Sequence, residues 1–131
     1  MSIFNNHSPE ILVLLFLIVT FFQSGVDKIT DWKGNVSFIS NHFKNSPLKN
    51  MVPMLLGTLL FLEIVASALM IFGVCQLATN GSPEIALIGV EIAAISLIFM
   101  LIGQRLAKDY AGAMTLAVYF IITIFGLMLL Q

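Results

Sequence analysis

Charge is scarce in this 131-residue chain: 6 Lys plus Arg and 7 Asp plus Glu, or 10% of the residues. A soluble domain carries roughly 25%, so this one has too little polar surface to cover itself in water. Soluble enzymes, nucleic-acid binders and disordered linkers are excluded on that ground. Cysteine is almost absent. Cys75 stands alone, which rules out an intramolecular disulfide and C-x-x-C thiol chemistry; the thiol is expected to act as a small apolar filler. Metal-ligand clusters, phosphate loops and nucleophile–base pairs are also missing. His7 and His42 are expected to be isolated and exposed, so no metal site is assigned.

What the chain has in abundance is apolar side chains, 59% of the total. They fall into four runs, about 9–27, 51–75, 84–103 and 110–130. Each approaches or exceeds the roughly 18–20 residues that cross ~30 Å of hydrocarbon. Asn80-Gly81-Ser82 and Gln104–Asp109 are short connections, and short connections force antiparallel neighbours. The expected fold is all-α: one transmembrane domain, 1–131, built as a four-helix antiparallel bundle. The first loop adds a short amphipathic helix at about 32–45, with Trp32, Val36, Ile39 and Phe43 on one stripe, Asp31 as N-cap and Pro47 beyond its end. It is expected to lie in the headgroup plane or to pack on the end of the bundle.

Cations are confined to two loops. Lys28, Lys33, Lys44 and Lys49 belong to loop one and Arg105 and Lys108 to loop three, six against none elsewhere. The positive-inside rule places these loops in the cytoplasm and both termini outside.

Two carboxylates interrupt the apolar runs. Glu63 lies 12 residues from Cys75 and Glu91 13 residues from Gln104, roughly 18–20 Å from those ends. An extended Lys or Arg at a helix end reaches about 6–7 Å, well short of that axial distance. Both carboxyls are therefore expected to be unpaired and to hold or share a proton rather than bury a bare charge. Thr115, Tyr119 and Thr123 recur every four residues on span four. A mid-membrane layer of Glu63, Glu91 and Tyr119 is the candidate ligand site, with Gln23, Asp27, Lys28 and Arg105 at its mouth. Interhelical glue of about 1 kcal/mol is the structural counterpart to that functional reading. On span three, Ala86, Gly89, Ala93 and Ser96 form a helix-packing ridge, with Glu91 roughly opposite.

These residues resemble the DoxX family of small four-helix bacterial membrane proteins. The resemblance rests on Phe22-Gln23-Ser24-Gly25-Val26-Asp27-Lys28, similar to that family's Gly-x-x-Lys ending of the first span. It continues through the loop helix closed by Pro47, Glu63 with Gly73 ten residues later, and Gln104 to Ala113, similar to members from the Bacteroidetes group. Ala66-Ser67 departs from the glycine-rich continuation common there, and loop two lacks the usual basic residue. The resemblance implies a multi-pass protein of the bacterial cytoplasmic (inner) membrane. Its relatives include a subunit associated with thiosulfate:quinone oxidoreduction.

Two functions compete. In the first, the chain is an accessory subunit of a quinone-linked redox complex, whose buried polar layer binds a small apolar ligand or relays protons. No cofactor is built in; quinone or lipid is the expected ligand. In the second, it is a non-catalytic assembly protein using the span-three ridge. Partners in either case are the bilayer and other membrane subunits or copies of itself, not nucleic acid. A transporter ranks below both, for want of helix breaks or an inverted repeat. An autonomous enzyme has the least support.

Overall fold

Uninterrupted apolar runs of this length satisfy their own backbone polar groups only as helices once water is removed, and helices are what form. A computed structural model describes residues 2–48 and 50–131, with side chains from Ser8 onward. It contains α1 (Ser2–Thr30), α2 (Trp32–His42), α3 (Val52–Asn80), α4 (Glu84–Leu106) and α5 (Tyr110–Leu130). Four of them are long and apolar enough to cross a membrane: Ser8–Thr30 of α1, then α3, α4 and α5. Lys49 and the side chain of His7, two of the expected features, lie outside the described residues.

Local chemistry sets the boundaries. Asp31 accepts a hydrogen bond from the Gly34 amide and caps α2, and Asp109 does the same for α5 through Gly112 at 2.9 Å; each satisfies a backbone donor left over in a first helical turn. Gly81 closes α3 in the left-handed conformation (φ 74°), its N–H reaching Leu77 O at 3.1 Å. Such a C-terminal position suits glycine, which has no Cβ to clash there. Lys108 also takes a positive φ, 61°, where α4 turns back into α5. Three helices outrun their expected limits. α1 includes Pro9 inside it rather than at its start, α3 continues five residues past Cys75 to Asn80, and α4 continues three residues past Gly103 to Leu106.

The four long helices close a ring in which α1 touches α3, α3 touches α4, α4 touches α5 and α5 returns to α1. Lipid tails are as apolar as leucine, so packing rather than exclusion of water holds such helices together. The closest approach is between α3 and α4. A Cβ on Gly73 would lie 2.5 Å from Ala86 Cα, and one on Gly89 would lie 2.9 Å from Met70 N. These two facing pairs run in opposite directions along the chain, as antiparallel neighbours require. Ala86, Gly89, Ala93 and Ser96 are all buried, so the predicted ridge is a packing surface. It is used up inside the bundle against α3, however, and is not open to another protein as the assembly reading needs.

α1 and α5 meet least extensively of the four adjacent pairs. Helix α2 packs across the Lys-rich end. Its expected stripe, Trp32, Val36, Ile39 and Phe43, is half-buried, and Gly57 of α3 lies open to the Trp32 ring. Phe38 on its other side is 68% exposed.

Candidate functional site

The last three turns of α1 carry Thr20, Gln23, Ser24, Asp27 and Lys28, three and four residues apart and hence on one broad face. α3 turns Glu63 toward this face. Lys28 Nζ lies 3.1 Å from both carboxylate oxygens of Glu63 and 2.7 Å from Ser24 Oγ, which itself donates to Glu63 Oε1 at 3.2 Å. Glu63 is completely buried and the Lys28 side chain nearly so, at 14% exposure. The result is a closed triangle of cation, hydroxyl and carboxylate between α1 and α3.

This corrects the expectation that Glu63 lies beyond the reach of any cation. That expectation set the helix ends at a common level. In the structure α3 is displaced along α1, with Gly25 beside Leu60 and Ile64; the early turns of α3 therefore lie beyond the end of α1, where α2 packs on them. Helical side chains also lean toward the N-terminus of their own helix. For Lys28, close to the C-terminal end of α1, that direction is inward. It is not a mouth residue, as predicted, but the buried partner of Glu63.

Glu91 is likewise corrected. It is exposed on the outer surface of α4 and does not join Glu63 and Tyr119. The tight α3–α4 contact fixes the rotation of α4, and with Gly89 against Met70 the opposite side must face outward. Tyr119 does approach the site. It is half-buried, its ring centroid 6.4 Å from that of Phe16, and it lines the same cavity as Glu63. Thr115 and Thr123 add no free polarity, since their hydroxyls donate to the Ala111 and Tyr119 carbonyls of their own helix.

The cavity, about 440 Å³, lies between α1, α4 and α5 with Glu63 of α3 at its inner end. Val19, Phe21, Leu97, Met100 and Leu116 form its apolar walls; Thr20, Gln23, Ser24, Asp27, Glu63 and Tyr119 supply the polar groups. The side chains of Gln23, Asp27 and Tyr119 make no hydrogen bond within the described residues and are available to a ligand. An apolar chamber with a few convergent polar groups is the usual form of a small-molecule site. Gln23 and Asp27, expected at the mouth, are among the residues that line the cavity. Arg105 is not: it is exposed at the α4–α5 turn, its guanidinium 5.0 Å from the centre of the Tyr110 ring in a cation–π contact.

Two further expectations fail. His42 is not isolated. Its Nε2 lies 3.0 Å from Gln104 Oε1 and 3.2 Å from Asp109 Oδ2, and its ring packs against Phe38 and Phe43. This contact ties α2 to the α4–α5 turn across 62 residues of sequence, a separation that no helical spacing signals. Cys75 is exposed on the outer face of α3 rather than filling the core. Among the described residues no group of three or more His, Cys, Asp or Glu side chains could hold a metal ion. Comparisons with protein-family models, with curated proteins and with solved structures yield no match to this chain.

Proposed function

We propose that the chain is a DoxX-like accessory subunit of a quinone-linked redox complex in a bacterial cytoplasmic membrane. Its cavity holds a small amphipathic molecule, a quinone or a lipid, by the polar head. The observation that carries this reading is the pairing of Glu63, Lys28 and Ser24 at the inner end of a mainly apolar chamber. Ionisable groups inside membrane spans are expensive and mark ligand or proton pathways by default. Gln23 and Tyr119 offer donors and acceptors to the head group and Asp27 an acceptor, while the apolar wall takes the tail. The Lys28–Glu63–Ser24 hydrogen bonds provide a short proton path beside the cavity. The concentration of cations in loops one and three puts the Glu63 end of the cavity toward the cytoplasm.

Native mass spectrometry of the gently extracted protein, with and without added quinone, tests the reading. Wild type should carry bound quinone. Tyr119→Phe combined with Gln23→Leu leaves the ion pair intact and should lower occupancy about tenfold, or about 1.4 kcal/mol. Replacing the pair together, Glu63→Gln with Lys28→Met, should abolish quinone-linked turnover of the complex while the protein still inserts. Unchanged occupancy and turnover in all these variants would refute the proposal.

A further inference from the structure

Each long helix shows an outward stripe, and in their deep portions these stripes are almost wholly apolar. Glu91 is the exception. Among the described residues it is the one exposed ionisable side chain that lies seven residues or more from both ends of its helix. It sits seven residues from Glu84, about 10 Å below the nearer end at the helical rise. No hydrogen bond or ion pair satisfies it among the described residues, and lipid tails offer none.

Its neighbours on that face form a seam. Ile88, Glu91, Ile95, Ile98 and Ile102, all exposed, follow steps of three, four, three and four. That alternation is the a/d spacing of a left-handed coiled coil, in which one polar seam position sets register and partner number. Among the described residues no free cation lies at this depth. Lys28 is taken by Glu63, and Arg105 lies at the far end of α4. A carboxyl that holds its proton is donor and acceptor at once, so its natural complement is another carboxyl. Two copies inserted with the same topology present their α4 helices parallel and at the same depth. A two-fold axis normal to the membrane then brings Glu91 onto Glu91 of the second copy, in a self-complementary contact.

We propose that the outer face of α4 joins two parallel copies of this chain through the isoleucine seam, closed at its centre by a Glu91–Glu91 carboxyl hydrogen bond. The surface is the side of α4 opposite the ridge spent on α3, and the cavity is not part of it.

Single-cysteine variants of the full chain in proteoliposomes, in a Cys75→Ser background, test the proposal. Ile88→Cys and Ile95→Cys should form disulfide-linked dimers on mild oxidation, whereas Phe61→Cys on α3 and Ile121→Cys on α5, equally outward, should not. Energy transfer between labelled copies, diluted with lipid, then probes the centre of the seam. Glu91→Gln keeps a donor and an acceptor and should hold association within about threefold, while Glu91→Leu should weaken it about tenfold, or about 1.4 kcal/mol. That is the range of a transmembrane interhelical hydrogen bond. Equal crosslinking from all three helices, a dimer undiminished by Glu91→Leu, or a wild-type protein that stays monomeric would overturn it. So would a cationic helix from another protein found bound at Glu91.

Discussion

Glu63 and Glu91 are the same residue in similar apolar surroundings, and the bundle treats them in opposite ways. Glu63 is enclosed and held by a lysine and a serine from α1; Glu91 looks outward without a partner. The difference has nothing to do with the side chain. It comes from how two pairs of helices meet. Axial displacement of α3 along α1 brings a helix-end cation to the level of Glu63. Rotation of α4, locked by its glycine contacts with α3, carries Glu91 away from the centre. One carboxylate is therefore bound to the stability of the fold, and the other is free to act at its surface.

The sharpest way to break this contrast is to strand Lys28. Glu63→Leu alone leaves a buried cation without its counter-charge and should lower unfolding stability in mixed micelles by about 3–5 kcal/mol. Adding Lys28→Met should restore most of that loss, because an apolar pair of similar volume needs no compensation. If the double variant were as unstable as the single one, the pair would not be the source of the effect.

Next in size is the rotation of α4. Gly89→Leu drives a side chain into Met70 and should cost about 1–3 kcal/mol through overpacking. The bundle itself should loosen, with faster proteolysis in detergent. A protein that kept its stability while losing only its partners would instead restore the ridge as an external surface.

A smaller effect is expected at the Lys-rich end. His42→Ala removes the contact to Gln104 and Asp109 and should cost about 1 kcal/mol, in the range of one hydrogen bond. Amide exchange should rise in α2 and in the α4–α5 turn together and remain unchanged around Gly73 and Ala86. The smallest change belongs to Glu91→Gln, which should leave the stability of the single chain within about 0.5 kcal/mol, as surface substitutions do. Paired with Glu63→Leu, these measurements give the contrast between the two carboxylates at its full width.

Much of the architecture was legible beforehand. The four spans, Asp31 as a cap and the half-buried stripe of α2 follow from run length, side-chain period and capping chemistry, which neighbours along the chain already contain. The ridge from Ala86 to Ser96 was legible for the same reason, and so was the nearness of Gln23 and Asp27 to the candidate site. The residues misjudged were those whose setting depends on a second helix: Glu63, Lys28, Glu91, Arg105, His42 and Cys75. His42 meets its partners across 62 residues, and Cys75 is as apolar on an outer face as on an inner one.

Hydrophobic length and helical period are properties of one segment, so the amino-acid order alone decides that this chain forms four apolar helices and a short amphipathic one. Depth and facing are relations between segments. A shift of two turns along the axis, or a rotation of a third of a circle, leaves every single-helix pattern unchanged, yet decides whether a carboxylate meets a lysine or the lipid. Only the close approach of α3 to α4 and the displacement of α3 along α1 settled that, because tight packing at glycine and alanine permits few alternative alignments.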